Sequence, residues 1–291
     1  TRLDSVSWAG DVYKRQMHTI SDIGELKKFL SVKKKESRDI SLVPTMGNLH
    51  DGHLKLVEEA SQISDFVCVS VFVNPLQFGP EEDFSSYPRT LDKDIQKLEN
   101  TECALLFVPE PNDLLLDIKK HTADPFLSSI LCGKTRKNHF DGVVTIVNKL
   151  FELFDPDTTF FGEKDYQQLM IIKEFVSRQS LNILVKGIPT EREDSGLAKS
   201  SRNKYLKDDE KDKATLIYKT LCQVKESITD SASLDKAINE GIEVLEENSF
   251  KVDYLEARSK ENLKASNDLE ANILLCAATI NKVRLIDNLE F

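Results

Sequence analysis

The sequence lacks any long apolar run, which limits the classes of protein that it can represent. Nowhere in its 291 residues does an uninterrupted apolar stretch approach the roughly 18 residues of a transmembrane helix. Hydrophobic residues make up 40% of the chain and charged residues 30%, the balance of a globular protein. We therefore expect no membrane partner, and one large or two moderate domains with a well-buried core.

Positive charge is also scarce. Lysine and arginine total 39 against 49 aspartate and glutamate residues, so the formal net charge is -10. Proteins that bind nucleic acids need clustered cations along the phosphate backbone, and this composition argues against such a surface. We expect no nucleic-acid partner, and we expect any functional positive charge to be concentrated in one pocket.

Paired cysteine motifs are missing as well. The five cysteines, Cys68, Cys103, Cys132, Cys222 and Cys276, are scattered and form no CxxC motif. An odd number at irregular spacing argues against a disulfide framework and favours a reduced, cytoplasmic setting. Cys68 and Cys276 lie within apolar runs, which predicts that they fill the core.

The first 16 residues have neither the apolar segment of a signal peptide nor a helical or strand period. They contain Trp8, the only tryptophan of the chain. We interpret residues 1–16 as an extraneous leader and expect the folded part to begin at Met17.

The most informative stretch of the chain begins with a β-prone run at residues 40–43, which ends at Pro44. A turn containing Gly47 and Gly52 follows, and then a mixed apolar and charged pattern typical of a helix. A strand, a tight turn and a helix in this order direct backbone N–H groups and a positive helix end at one point, where phosphate binds. His50 and His53 lie at that point, three residues apart.

Three interpretations of this histidine pair are open from the spacing alone. Imidazole N–H groups can stabilise negative charge on a phosphate in a transition state. The two histidines can equally be ordinary polar residues of a loop. A zinc pair is disfavoured, because no Cys or acidic residue with ligand spacing lies nearby.

Several motifs in a fixed order resemble a known family. His50-Asp51-Gly52-His53 resembles the HIGH motif of the nucleotidyltransferase superfamily, and the longer string from Pro44 to His53 is similar to the pantothenate synthetase family. The resemblance runs from Met17 to the C-terminus and includes Val73-Asn74-Pro75-Leu76-Gln77-Phe78, Tyr87-Pro88-Arg89-Thr90, Gly162-Glu163-Lys164-Asp165-Tyr166-Gln167-Gln168 and Ser200-Ser201-Arg202-Asn203. It implies an ATP-dependent ligase that joins pantoate to β-alanine through a pantoyl-adenylate and releases AMP and pyrophosphate. It also implies Mg²⁺ on the phosphates and a homodimer.

The pattern of elements predicts an α/β protein with a Rossmann-like parallel sheet and a smaller C-terminal α+β lid domain. Residues 66–73 are continuously apolar, which is typical of a parallel strand covered on both faces. We predict strands at 40–43, 66–73, 104–108, 158–161 and 183–188, helices ending near 64 and spanning 91–98 and 143–154, and a solvated turn at Lys33-Lys34-Lys35. Beyond a composition change near Thr190 we predict helices at 210–228 and 234–247 and strands at 252–257, 271–280 and 283–286. The predicted domains are residues 17–189 and 190–291.

The resemblance also implies roles for individual residues. Catalytic roles go to His50, His53, Lys164 and Arg202. ATP contacts go to Pro44, Thr45, Met46, Gly47, His50, Gly52, His53, Gly162, Glu163, Lys164, Asp165, Ile188, Lys199, Ser200, Ser201 and Arg202. Pantoate and β-alanine contacts go to Asn74, Gln77, Arg136, His139 and Gln168, and no metal ligand is assigned.

The chain departs from the family pattern at two places. Lys137 and Asn138 stand where the family usually has Pro-Gly, and Lys199 stands where it has Met or Leu before the serine pair. Residues 190–203 are polar, are expected to be flexible, and resemble the KMSKS loop that closes over ATP phosphates. Two other functions compete: a nucleotidyltransferase acting on a phosphate ester, which would not need Gln77 and Gln168, and a non-catalytic nucleotide sensor, which would not need Lys164 and Ser200 to Arg202.

Overall fold

Six parallel strands form the larger of two sheets. The computed structural model describes residues 17–36, 39–80, 82–229, 233–265 and 272–291, so the predicted leader lies outside the described residues. The strands are β1 His18–Ile20, β2 Ile40–Thr45, β3 Phe66–Val71, β4 Cys103–Phe107, β5 Thr158–Gly162 and β6 Leu184–Ile188, in the spatial order β1-β4-β3-β2-β5-β6. From β2 the chain continues to β3 and β4 on one side of the sheet. It then returns to β5 and β6, which lie on the other side of β2. The switch point of the sheet therefore lies between β2 and β5, and ligands of such sheets bind outside the carboxyl ends of the strands there.

Helices connect the strands of this sheet. They are α1 Ile23–Lys35, α2 Asp51–Ser61, α3 Leu91–Leu98, α4 Pro111–Leu115, α5 Cys132–Thr135, α6 His139–Phe154 and α7 Tyr166–Arg178. Asp22 caps α1, since its carboxylate accepts a hydrogen bond of 2.7 Å from the main-chain N–H of Glu25. The prediction of α3 from its apolar residues is confirmed.

Both faces of the large sheet are buried. Leu42 and Cys68 pack into the apolar cluster on one face, while their neighbours Val43 and Val69 pack into the cluster on the other. Successive side chains of a strand point to opposite faces, so a continuous apolar run is the expected signature of such strands. The predicted parallel-sheet fold class and the core positions of Cys68 and Cys276 are confirmed.

The prediction that the first β-prone run ends at Pro44 is wrong. Strand β2 continues through Pro44 to Thr45, and Pro44 lies opposite Ser70 of β3. A proline cannot donate a ladder hydrogen bond. It is tolerated here because the register of β2 with its other neighbour, β5, covers Ser41 and Leu42 only.

Two helices extend further than predicted. Lys33, Lys34 and Lys35 form the last turn of α1 rather than a separate turn, where their positive charge favours the negative end of the helix. Helix α6 begins at His139 instead of the predicted residue 143.

The second sheet is small and antiparallel. It has the order β7-β8-β9, with β7 Phe250–Ser259, β8 Asn272–Ile280 and β9 Val283–Glu290, and helices α8 Asp208–Thr229 and α9 Leu234–Glu247 pack against it. This confirms the predicted smaller α+β unit. Tyr166 and Phe175 of the first unit share an apolar cluster with Leu263 and Leu275 of the second. The boundary near Thr190 stays a prediction.

The helices can be examined for a segment that could span a membrane. Within the part of the chain that the structure describes, none of the helices has both the length and the apolarity needed to cross a membrane.

Candidate active site

A cavity of about 240 Å³ lies at the carboxyl edge of the large sheet, beside the switch point. The ends of β2, β5 and β6 and the segment after β3 contribute to its walls. The predicted site residues that line it are Pro44, Thr45, Met46, His50, Gly52, His53, Asn74, Gln77, Arg136, His139, Gly162, Lys164, Asp165, Gln168, Ile188, Lys199, Ser200, Ser201 and Arg202. Gly47 and Glu163 are not in its lining. The structure thus brings nearly all of the predicted residues to one place.

His50 and His53 lie at the start of α2, with their ring centroids 4.1 Å apart. The main-chain N–H of His50 donates a hydrogen bond of 3.3 Å to Nδ1 of His53. Because that nitrogen accepts, the neutral His53 ring carries its proton on Nε2. Nδ1 of His50 is buried and has no hydrogen-bond partner among the described residues. The pair therefore offers imidazole nitrogens to a ligand in the cavity.

Both rings are neutral near pH 7. Burial, followed by the positive charge of Lys164, lowers the pKa of His50 to about 4. Burial, followed by the charge of His50, lowers the pKa of His53 to about 3. Charged imidazole is disfavoured where water is excluded. Neutral imidazoles can donate hydrogen bonds to an anion in this site without first releasing or taking up a proton.

Gly52 separates the two histidines and leaves room for the first ring. A Cβ atom at this position would lie 3.0 Å from both Cε1 and Nδ1 of His50. That is tighter than ordinary van der Waals contact, so a larger residue would displace the ring.

The turn before His50 is held by a residue that the motifs do not reveal. The main-chain N–H groups of Asn48 and Leu49 donate hydrogen bonds of 2.8 and 2.7 Å to the buried carboxylate of Asp94. Asp94 follows Leu91 by three residues and precedes Leu98 by four, so it lies on the apolar side of α3. A charged residue on an apolar helix face is the signal that could have identified it.

Lys164 lies in a short 3₁₀ turn, Glu163–Asp165, that follows β5. Its ammonium group is 3.9 Å from the carboxylate of Asp165. The side-chain amide of Asn288, on β9, donates to the main-chain oxygens of Glu163 at 2.8 Å and Lys164 at 3.1 Å. The small domain therefore helps to fix the position of a cation in the cavity of the large one.

The segment Ser200-Ser201-Arg202 reaches the histidine turn. The Ser201 hydroxyl donates to the main-chain oxygen of Asn48 at 3.5 Å. The Arg202 guanidinium donates to the Asp83 carboxylate at 3.0 and 3.3 Å. The two motifs, separated by about 150 residues in the sequence, thus share one wall of the cavity.

Lys199, the first departure from the family pattern, forms an ion pair with Asp51 in the first turn of α2. The hydrogen bond from this ammonium lowers the pKa of Asp51. The lysine side chain is 22% exposed and that of Asp51 is 68% exposed. A cation at this position therefore links the loop to the start of the histidine helix, instead of packing as an apolar side chain would.

Arg136 and His139 line the cavity, but their hydrogen-bonding groups are already in use. Arg136 donates to both carboxylate oxygens of Glu82 at 2.7 Å and to Nε2 of His139 at 2.8 Å. Nδ1 of His139 bonds the main-chain oxygen of Gln77 at 2.7 Å. Burial, and then Arg136, lowers the pKa of His139 to about 4. Their assignment as substrate contacts stays a prediction, and Glu82 is a partner that the motifs did not indicate.

Asn138, the second departure, adopts the left-handed conformation with φ 60° and ψ 2°. The family usually has glycine at this position, and asparagine is among the few other residues that adopt this conformation readily. The replacement therefore retains access to the backbone conformation of the original turn.

The amide side chains near the cavity differ in whether they are available to bind a ligand. Gln77 donates to the Met46 sulfur at 3.2 Å and accepts from Asn74 at 3.0 Å. Thioether sulfur is a weak acceptor, so this donor can turn to a ligand at little cost. Gln168 lines the cavity, whereas the adjacent Gln167 is buried and bonds three main-chain groups of residues 127–132. Of the two glutamines in the motif, Gln168 is the one that a ligand can reach.

A second cavity, of about 630 Å³, lies between the two domains and was not predicted. It shares Arg136, Lys164 and Arg202 with the first cavity. On the side of the small domain it is lined by Tyr254, whose hydroxyl is 3.1 Å from the Cys132 sulfur. The site is therefore bordered by both domains.

Comparison with known proteins identifies similar sequences over almost the whole chain. The model of the family described as pantoate-beta-alanine ligase matches residues 18–290. A protein named pantothenate synthetase from Chromohalobacter salexigens is 46% identical over 277 residues, which cover 94% of this chain and 98% of that protein. Another of the same name, from Shewanella loihica, is 43% identical and covers 94% of this chain and 99% of its own length.

Solved structures are similar as well. The crystal structure of pantothenate synthetase from Thermus thermophilus superposes with a TM-score of 0.89 at 39% identity, covering 94% of this chain and 99% of that one. A pantoate-beta-alanine ligase from Francisella tularensis, crystallised with β-γ ATP and β-alanine, superposes with a TM-score of 0.79 at 34% identity, covering 94% and 98%.

Proposed function

The chain belongs to the pantoate-beta-alanine ligase family, and from this premise we propose that it joins pantoate to β-alanine through a pantoyl-adenylate, releasing AMP and pyrophosphate. The relative from Francisella tularensis that was crystallised with β-γ ATP and β-alanine supports the assignment of ATP and the amine as ligands. A phosphate-ester nucleotidyltransferase explains less, since it would not need Gln77 and Gln168. A nucleotide sensor also explains less, since it would not need Lys164 and Ser200 to Arg202.

One observation carries the proposal: the histidine pair, Lys164 and the segment from Ser200 to Arg202 line one cavity at the switch point. Adenylyl transfer needs hydrogen-bond donors at the α-phosphate and cations at the departing pyrophosphate. No protein nucleophile is required, so positioning and charge stabilisation supply the rate. This set of groups fits that demand.

In the first step a pantoate carboxylate oxygen attacks the α-phosphorus of ATP. An oxygen–phosphorus bond forms, the bond from the α-phosphorus to the bridging oxygen breaks, and pyrophosphate leaves with that electron pair. His50 and His53 donate hydrogen bonds to the α-phosphate oxygens as their negative charge increases. Lys164 and Ser200 to Arg202 stabilise the pyrophosphate. Arg202 contributes through Nη1, which has no partner among the described residues, whereas Nε and Nη2 bond Asp83.

In the second step the uncharged amine of β-alanine attacks the carbonyl carbon of the adenylate. A carbon–nitrogen bond forms, the bond from that carbon to the phosphate oxygen breaks, and AMP leaves. The amine loses its proton to solvent. Closure of the site protects the mixed anhydride from water until the amine arrives.

Pantoate has two hydroxyl groups, a carboxylate and two methyl groups on one carbon. We assign Asn74, Gln77 and Gln168 to its polar groups, since all three residues line the cavity. The Asn74 amide also donates a hydrogen bond to the side chain of Gln77. Val143 and Val147 of α6 and Phe161 line the same cavity and offer apolar contacts to the methyl groups. Arg136 and His139 would act mainly by fixing the main-chain oxygen of Gln77.

The nucleotide would lie along the ends of β2, β5 and β6. We assign it to the predicted ATP contacts, with Asp165 toward the ribose or the amine. Gly47 would act by shaping the turn, and Glu163 by its main chain, since neither lines the cavity.

Mg²⁺ would be held chiefly by the ATP phosphates and water, since it keeps several waters in most nucleotide sites. Among the described residues there is no cluster of three or more His, Cys, Asp or Glu that could hold a metal. Asp165 is the half-exposed carboxylate in the cavity that would contribute an oxygen. The ion would neutralise phosphate charge.

We propose further that residues 17–189 and 190–291 act as separate domains, and that the protein is a cytoplasmic homodimer, as the family resemblance implies. All five cysteines are free, in keeping with a reducing compartment. Analytical ultracentrifugation tests the dimer.

Isotope exchange tests the two-step reaction. If the adenylate forms before the amine binds, labelled pyrophosphate will exchange into ATP with pantoate present and β-alanine absent. His53→Ala and Lys164→Ala will each reduce this exchange by about 10²-fold or more, because each removes a group that stabilises transition-state charge.

The matched controls are His18→Ala and Lys173→Ala, which change exposed residues outside the cavity and leave exchange unchanged. The melting temperature of His53→Ala will fall only slightly, since a lost helix cap costs about 1 kcal/mol. Exchange that strictly requires β-alanine would contradict the two-step reaction.

A further inference from the structure

The turn that leads into His50 has a backbone that needs support. Gly47 has φ 75° and the next residue, Asn48, has φ 51°, so two consecutive residues are left-handed. For a residue with a Cβ atom this conformation costs about 1 kcal/mol or more. A Cβ at Gly47 would lie 2.9 Å from a Val71 methyl carbon, so the turn also lies close against β3. Its shape must be stabilised by interactions from outside the turn.

Asp94 of α3 supplies those interactions. Its side chain is buried, with 1% exposure. Oδ2 accepts from the N–H of Asn48 at 2.8 Å and Oδ1 from the N–H of Leu49 at 2.7 Å. The Thr90 hydroxyl donates to the same carboxylate at 3.2 and 3.3 Å. One carboxylate therefore satisfies two successive main-chain donors, and such charge-assisted bonds are stronger than neutral ones.

Lys97 completes the arrangement from one helical turn further along α3. Its ammonium donates to the main-chain oxygen of Leu49. Asp94 and Lys97 thus bind the N–H and the C=O of the same residue, Leu49. The next residue is His50, whose main-chain N–H binds the His53 ring. A shift at Leu49 is transmitted directly to both imidazoles.

We propose that Asp94 and Lys97 are positioning residues that set the orientation of His50 and His53 for adenylyl transfer. This rests on the proposed function, because it assumes that the histidines stabilise the α-phosphate. Neither residue lines the cavity, so neither contacts substrate. A displacement of about 1 Å at a reacting centre can cost about 10²-fold in rate, so a clamp on the preceding turn controls the efficiency of the histidine pair.

Kinetics of Asp94→Asn test the proposal. The amide keeps one acceptor oxygen but turns an NH₂ group toward a main-chain N–H. We expect kcat to fall by about 10²-fold, with the KM for pantoate unchanged, since Gln77 and Gln168 follow other strands. Lys97→Met will show a smaller loss in kcat. Asp92→Asn and Lys93→Met, exposed on the same helix, are the matched controls and will match the wild type.

A second measurement does not depend on activity. In protein labelled with ¹⁵N in histidine, Asp94→Asn and Lys97→Met will shift the ring signals of His50 and His53 and leave that of His121 in place. A wild type without ligase activity would refute the proposed function, yet these shifts would still test the clamp.

If Asp94→Asn does not fold, Lys97→Met tests the proposal instead, because Lys97 is exposed and its substitution leaves the core intact. Unchanged ring signals and wild-type kcat in the folded variant would overturn the proposal.

Discussion

At the scale of single residues, the site depends on histidines that do not carry charge. His139 shows why: its Nδ1 bonds the Gln77 main-chain oxygen while its Nε2 accepts from Arg136. A protonated ring has no acceptor, so protonation would place a cation against the Arg136 guanidinium. The low pKa values of His50, His53 and His139 have burial as their common first cause. Enclosure within the protein therefore keeps all three rings neutral near pH 7.

These pKa values predict a stability that falls in acid. Between pH 6.5 and about 4 the unfolded chain protonates His139 while the folded protein keeps it neutral. The unfolded state then binds more protons, so the free energy of unfolding falls as the pH falls. One such group contributes up to about 1.4 kcal/mol per pH unit. The stability is fully present above pH 6.5.

Urea denaturation at several pH values, comparing the wild type with His139→Gln, measures this contribution. Glutamine can donate to the Gln77 oxygen and accept from Arg136 without titrating, so its stability will fall less steeply below pH 6.5. Lys93→Gln, at an exposed position on α3, is the control and will keep the wild-type slope, since lysine does not titrate in this range. Parallel curves for the wild type and His139→Gln would show that His139 titrates alike in both states.

The residues of the motifs could be predicted from the sequence, but their partners could not. His50, Lys164 and Arg202 belong to short strings whose residue types and order indicate their chemistry. Glu82 and Asp83 pair with residues 54 and 119 positions away, and no local pattern indicates such pairs. Which acid meets which cation is decided only by the tertiary packing of distant segments, within the first domain for Glu82 and across the predicted boundary for Asp83.

At the scale of elements, periodicity predicted the existence and type of most helices and strands. It failed at boundaries where tertiary structure overrides local preference. Pro44 remains in β2 because the pairing of β2 with β5 covers only Ser41 and Leu42, so β5 does not need a hydrogen bond from the missing N–H of Pro44. Helix α6 extends back to His139 because Asn138 adopts a left-handed conformation and the first turn is bonded to the segment after β3. Neither condition is visible in a local window.

The contact between the loop and helix α2 gives a prediction at this scale. Lys199, which lines the cavity, pairs with Asp51 at the start of α2, and partly exposed pairs contribute about 0–1 kcal/mol. If the pair favours the ATP-bound arrangement, Lys199→Met will raise the KM for ATP by up to about fivefold at low salt. The difference will diminish in high salt, which screens exposed charges.

A double-mutant cycle separates the pair from other effects of the charges. Asp51→Asn has its own cost at the start of α2, because an acid there favours the helix dipole. Once Asp51 is asparagine, however, the change at Lys199 will have little further effect. Strict additivity of the two changes would mean that the ion pair does not influence ATP binding. Lys55→Met, which removes a surface pair on the outer side of α2, is the control.

At the scale of the whole molecule, the cavity is lined by residues from both sides of the predicted boundary near Thr190. The segment of residues 190–203 connects them and is bonded to each. Arg192 donates to both carboxylate oxygens of Asp287 on β9, at 2.7 and 2.9 Å, and lies 3.8 Å from the centre of the Tyr218 ring. At its other end, Ser201 and Lys199 contact the histidine turn and helix α2. The segment is therefore bonded at one end to the small sheet and at the other to the histidine turn.

This arrangement predicts that ATP holds the molecule closed. ATP would contact Lys164 on one domain and Ser200 to Arg202 on the connecting segment, so it binds the closed form more tightly and increases its population.

Limited trypsin digestion measures this, since Arg192, Lys199 and Arg202 are cleavage sites in the segment. Saturating ATP will slow cleavage there. Lys225 and Lys236, on α8 and α9 away from the cavity, provide internal control sites. Arg202→Ala will weaken the protection at Lys199 together with the rate of adenylate formation. Equal cleavage of the segment with and without ATP would show that the segment is equally closed in both states and that ATP does not drive closure.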